Sequence, residues 1–172
     1  MTGSFGFWLL VAVLLFWSLG AYNRLVRLRA QVIGSFSGVD QRMVQALALL
    51  GEASLAPDSD SAGRSGLLAA AVQFEVALRV TRKQPLDASA MAALQTAYAT
   101  VQVVWERRRA EAAGPHATAL AVMQRAWEDN TQVLREAEAS YNGSVQNYNR
   151  AIQQFPASIL SYFFGFASAA FL

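Results

Sequence analysis

The first 23 residues constrain this chain more than any other stretch. No charged side chain occurs from Met1 to Asn23, and Phe5 to Leu19 is nearly solid Phe, Trp, Leu, Val and Ala. An apolar run of about 20 residues is long enough to cross the ~30 Å hydrocarbon layer as a helix. Lipid also demands a helix, because a helix satisfies its own backbone hydrogen bonds. A cleaved signal peptide is the rival reading, and Ser18-Leu19-Gly20 would serve as a small-x-small cutting site. Signal peptides carry Lys or Arg before the apolar region, however, and here the basic residues Arg24, Arg27 and Arg29 come after it. The flanks therefore favour an uncleaved transmembrane anchor over residues 1–23. Basic residues stay on the cytoplasmic side, so the amino terminus is expected outside and the rest of the chain inside. Phe5, Phe7 and Trp8 then fall at the outer headgroup level and Trp17 and Tyr22 at the inner, with Leu14 and Phe16 between.

Beyond the anchor, about 145 residues suffice for one domain with a real core. The net charge of the 172-residue chain is only +2, which excludes a general nucleic-acid-binding field. There is no cysteine, so disulfides, thiolate nucleophiles and cysteine metal sites are excluded as well.

The apolar periodicity past the anchor is helical throughout. Leu25, Leu28, Val32, Phe36, Val39, Met43, Leu47 and Leu50 are spaced by threes and fours and form one stripe, continuous with the span. Gly34 and Gly38 interrupt it with the G-x-x-x-G spacing that lets helices approach closely. Ala56 to Gly63 reads as a loop. A second helix is expected over 65–83 with Leu68, Val72, Val76 and Val80 inward, ended by Pro85. Asp87 suits the N-cap of a third helix whose inner face is Met91, Leu94, Tyr98, Val101 and Trp105. That helix stops at Arg107-Arg108-Arg109 and Gly114. A fourth, starting at Pro115 and running to Phe155, would be roughly 60 Å long. Its expected stripe is Ala119, Val122, Ala126, Val133, Ala137, Tyr141, Val145, Tyr148, Ile152 and Phe155. Tyr141, Tyr148 and Phe155 recur every seven residues, as in a packed seam. Asn142 and Asn149 recur in the same way beside them, either as a hydrogen-bonded packing edge or as a partner-binding stripe.

Tyr22-Asn23-Arg24-Leu25-Val26-Arg27-Leu28, directly after an apolar span, resembles the opening signature of the LemA family. So do Tyr141-Asn142-Gly143-Ser144-Val145-Gln146-Asn147-Tyr148-Asn149, Phe155-Pro156 and Phe164-Gly165-Phe166, in that order. The resemblance implies a bacterial protein of the inner membrane built as a long antiparallel helical bundle, with no established activity. The chain departs from the family in the first bundle helix. There Asp40 to Leu47 holds one arginine where a pair is usual and lacks the family's proline.

Catalytic chemistry is not expected. His116 is the lone histidine, and no triad, di-iron set or phosphate-binding glycine loop can be assembled around it or elsewhere. No cofactor or metal is called for. The tail from Pro156 to Leu172 is uncharged and rich in aromatics, including Tyr162, Phe163, Phe164 and Phe166, yet too short to span alone. It is expected either at the membrane beside Tyr22 and Arg24, or as a cap on the bundle or a neighbouring subunit.

The expected architecture is all-α. An anchor over 1–23 continues into an antiparallel four-helix bundle over 24–155, followed by an apolar tail over 156–172. The expected function is a non-enzymatic scaffold that self-associates in the bilayer as a homo-oligomer. The alternative is a tethered adaptor for a specific membrane protein.

Overall fold

The computed structural model describes residues 2–55, 61–111 and 115–172, with side chains except at 2–5, 61–62 and 115–119. Five helices make up the fold: α1 (Thr2–Leu55), α2 (Ser61–Lys83), α3 (Ala88–Glu111), α4 (Pro115–Gln153) and α5 (Ala157–Phe164). No strand occurs among the described residues. α1 runs unbroken for 54 residues, about 80 Å. It passes from the apolar anchor into the domain without a linker.

The core follows from a repeat of seven. In α1 the buried residues are Leu25, Val32, Val39, Ala46 and Ala53, with Phe36, Met43 and Leu50 as a second row. Leu120, Trp127, Leu134, Tyr141 and Tyr148 form the corresponding row of α4. α3 buries Met91, Tyr98 and Trp105 in one row and Leu94, Val101 and Arg108 in another. At 3.5 residues per turn such rows stay turned toward a neighbour along the helix. α1 meets α4 in opposite chain order: Trp17 lies at Phe155, Phe36 at Tyr141, and Asn130 Nδ2 donates to the Arg42 carbonyl (3.1 Å). α2 folds back on α3, with Phe74 on Tyr98 (5.4 Å) and Thr81 Oγ1 donating to the Ala90 carbonyl. The turn between these two helices is capped by Asp87, which accepts from the Ala90 amide at 2.7 Å and from the Ser89 hydroxyl. These bonds, that of Ser89 first, hold its carboxyl below the ordinary value.

The two helix pairs are joined by an ion pair of Arg82 with Asp40 and by aromatic packing. Trp105 stacks on Trp127 with centroids 5.0 Å apart and planes 22° apart. Its indole N–H donates to Gln124 Oε1 (2.8 Å), so its polar edge is satisfied inside the contact.

Three sequence expectations are corrected. α2 turns the other way: Leu67, Ala70, Phe74 and Leu78 are buried, whereas Leu68, Val72, Val76 and Val80 are exposed. The helix carries two adjacent apolar rows, and the row holding Phe74 offers the larger side chains to the interior. In α4 the lower stripe holds from Ala137 to Ile152, but Val122, Ala126 and Val133 point outward while Leu120, Trp127 and Leu134 point in. The seven-residue row of Tyr141 and Tyr148 extends backward to Leu120, not forward to Phe155. α4 ends at Gln153, and Phe155 lies beyond it, 71% exposed. α2 also begins at Ser61, inside the stretch read as a loop, whose residues 56–60 lie outside the described residues.

Candidate functional site at the anchor end

Two features converge where α1 emerges from its apolar segment. The first is the anchor surface. From Phe7 to Leu19 the side chains stand out on every side of the helix: Phe7, Trp8, Leu14, Phe16 and Trp17 are all exposed, Phe16 at 77%. The side chain of Phe5 lies outside the described residues. Arg24, Arg27 and Arg29 are exposed one turn further on, around the buried Leu25. Aromatic residues from the chain's other end gather here. Trp17 packs edge-on to Phe155 (5.4 Å), and half-buried Tyr22 meets Phe164 (5.0 Å) and Phe166 (5.9 Å). A cleft of about 400 Å³ opens between them, lined by Phe16, Trp17, Gly20, Arg24, Ala151 and Phe155 among others. Tyr162, Phe163 and Phe164 on α5 stay exposed beside it.

The second feature is the way the chain end is held. After α5, Gly165 takes φ 67 and ψ 32, and the Phe166 amide donates back to the Ser161 carbonyl (3.0 Å). Residues 166–172 then run along α4 in the opposite direction, gripped by the Tyr-Asn pairs. Tyr148 Oη donates to the Ala167 carbonyl at 3.0 Å. Asn149 holds Ala169 from both sides, Nδ2 donating to its carbonyl and Oδ1 accepting its amide, both at 2.9 Å. Asn142 repeats this on Leu172 at 2.8 and 2.9 Å. Tyr141 Oη lies 3.1 Å from the Ala170 carbonyl and 3.1 Å from that of Pro85. Its single proton therefore serves both the tail and the α2–α3 turn. Gln95 of α3 donates to the Phe171 carbonyl (3.2 Å). Ala169 is buried in the groove, whereas Phe171 stays half exposed.

The spacing explains why two pairs seven residues apart do this. Seven helical residues advance about 10.5 Å, and three residues of polyproline-II-like chain advance about 9.3 Å. Each step from one Tyr-Asn pair to the next thus meets a main-chain group three residues along the tail. Burial pushes the Tyr141 phenol up to about 12. It raises Tyr148 as well, against the opposing charge of Arg29. Both phenols stay protonated and able to donate at neutral pH.

Asn142 and Asn149 form a hydrogen-bonded packing edge whose complement is the tail of their own chain. The sequence showed the seven-residue spacing, but not that its complement was 30 residues or fewer downstream. Gly34 faces outward, with no atom within 4 Å of where a Cβ would stand, and Gly38 faces the Ala137 methyl at 3.8 Å. The side chain of His116 lies outside the described residues. Among those described, no group of three or more His, Cys, Asp or Glu is placed to hold a metal ion.

These observations define a class: an all-helical protein with one long amino-terminal helix apolar enough to cross a membrane and a chain end tied back beside it. The chain belongs to the LemA family, whose sequence model matches residues 69–172. That match takes in the Tyr-Asn pairs and the tail, while the Tyr22 to Leu28 signature lies outside it. Neither the curated proteins nor the solved structures gave a match.

Proposed function

We propose that this protein is a non-enzymatic, membrane-anchored helical scaffold that self-associates and organises the bilayer around it. The observation that carries this reading is the exposed apolar surface of α1 from Phe7 to Leu19, most of which stays open among the described residues although Phe155 packs on Trp17. Bare in water, it exceeds what a soluble monomer tolerates; in hydrocarbon it is at rest. Arg24, Arg27 and Arg29 support a cytoplasmic position for α2–α4 in a bacterial inner membrane, with the amino terminus outside. The opposite chain order of the α1–α4 and α2–α3 contacts supports an antiparallel four-helix bundle beyond the anchor. Phe155, Tyr162 and Phe163, exposed at the anchor's end, suit the headgroup layer or a neighbouring copy.

The test is the mass and topology of the membrane-extracted protein. The expected result is an intact amino terminus and a particle several times 18.7 kDa in mild detergent. A monodisperse monomer, or loss of the first ~20 residues, would contradict the scaffold. A second reading, an adaptor for a membrane protein, is favoured by one observation. Leu68 and Val72 of the exposed row form with Val44, Leu47 and Ala71 an apolar groove between α1 and α2. A stoichiometric foreign partner lost on Val72→Glu would favour the adaptor over self-assembly.

A further inference from the structure

The cleft at the anchor end has walls of two kinds. Phe16 and Trp17 line it on the anchor side and Phe155 on the side of the α4–α5 turn, while Arg24 and Gln154 supply polar groups. Gly20 lines it without a side chain, and nothing lies within 4 Å of where its Cβ would stand. At about 400 Å³ the space falls within the range of small-molecule sites.

The charge around this cleft is one-sided. Residues 1–39 and 139–172 pair with one another from the Trp17–Phe155 contact to the Phe36–Tyr141 contact. Together they hold four arginines, Arg24, Arg27, Arg29 and Arg150, and no Asp or Glu. Residues 40–138 hold ten basic and twelve acidic side chains, so the positive excess is local to the anchor end. The nearest acid to Arg24 along α1 is Asp40, 16 residues or about 24 Å away. That is about three Debye lengths at physiological salt. Among the described residues no carboxylate pairs with Arg24.

A ligand that suits these walls is an anion at one end and a hydrocarbon at the other. A free phosphate would answer Arg24 and leave Phe16 and Trp17 wet; a lipid without net charge would cover the rings and leave Arg24 without a counter-charge. In the anchored protein Arg24 stands one turn beyond Gly20, at the cytoplasmic headgroup layer, where anionic lipids attract basic side chains. We propose that the cleft binds one anionic phospholipid of that leaflet, its phosphate on Arg24 and the upper part of an acyl chain against Phe16 and Trp17. This rests on the membrane-anchored reading and adds a ligand to it.

The test is native mass spectrometry of the full-length protein, purified in mild detergent and equilibrated with equal amounts of phosphatidylglycerol and phosphatidylcholine. The expected result is one phosphatidylglycerol retained per chain in preference to phosphatidylcholine. Arg24→Gln should lower that preference at least about tenfold, as loss of a hydrogen bond to a charged group does. Gly20→Leu keeps every charge and fills the cleft, so it should lower phosphatidylglycerol retention as well. Arg27→Gln removes the same charge outside the cleft and should leave retention nearly unchanged. Equal losses from Arg24→Gln and Arg27→Gln would show diffuse surface charge and overturn the site. Equal retention of the two lipids, or of neither, overturns it too. Release of the lipid by millimolar glycerol phosphate would assign the cleft to a soluble phosphate and overturn the lipid. Carbonate extraction of membranes runs in parallel. Protein freed by carbonate contradicts the anchor reading itself, whereas an anchored protein without a phosphatidylglycerol preference contradicts the cleft alone.

Discussion

The two parts of α1 make an instructive pair. Residues 7–19 and residues 25–53 belong to one unbroken helix, and both are rich in large apolar side chains. In the first part these residues surround the helix and all but a few are exposed; in the second most occur in rows of seven and are buried, while Val26, Ile33 and Val44 lie off the rows and are exposed. Apolar content alone does not bring a residue into the core of a protein. Pattern does: a row can face one neighbour, but a full ring can be satisfied only by a solvent as apolar as itself. The first part is apolar enough to cross a membrane, and the second packs on α4 and α2.

The largest expected effect separates the two parts by stability. Phe36→Ala removes a buried ring packed on Tyr141 and should cost about 3–5 kcal/mol in denaturant unfolding. Phe16→Ala, at a 77% exposed position, should change that figure by less than about 0.5 kcal/mol. Equal losses would erase the distinction. The converse is read by membrane insertion. Leu14→Arg should oppose it by about 2.5–3.5 kcal/mol and shift protein out of the membrane fraction. Val44→Arg, on the exposed face of the second part, should leave fractionation unaltered.

The tail joins the two parts, and Asn149→Ala tests how firmly. Losing both bonds to Ala169 should weaken the tail's attachment by about 1–3 kcal/mol, seen as faster amide exchange across 166–172 with the α1 amides unaffected. A pH dependence follows from Tyr141. Its phenol ionises near 10 when unfolded and at about 12 in the fold, so its contribution is complete below pH 10. That contribution declines as pH rises from 10 through about 12, because the unfolded chain loses the proton first. An absorbance titration of tyrosinate should show a late-ionising phenol that Tyr141→Phe removes. The smallest effect is at the glycines. Gly38→Ala meets only ordinary contact with Ala137 and should stabilise the helix by up to about 1 kcal/mol. Gly34→Ala should do the same without changing particle mass. A dissociated oligomer would instead reveal a close helix contact at Gly34 from a second copy.

How much was legible in the sequence depended on what each residue answers to. The long apolar first helix, the α1 rows from Leu25 to Leu50, the Asp87 cap and the α3 face were readable because each reflects local periodicity or turn chemistry. α2 misled because two apolar rows lie side by side and the choice between them rests with Phe74's neighbours on α3. α4 misled at Phe155, where the seven-residue count continued past the point at which the helix stops. The Tyr-Asn pairs were visible as a repeat, but their complement is a backbone of three-residue period that leaves no trace in composition. Local spacing can announce a site without naming what fills it.

The central claim is that α1 changes solvent between Leu19 and Leu25. Spin labels placed singly in lipid vesicles at Leu10, Leu14 and Leu15, and at the outward-facing Val26, Ile33 and Val44, test it most directly. The account predicts that the first three are accessible to oxygen and shielded from a water-soluble nickel chelate, and that the last three are open to the chelate. Chelate access at Leu10, Leu14 and Leu15 equal to that at Ile33 and Val44 would contradict it.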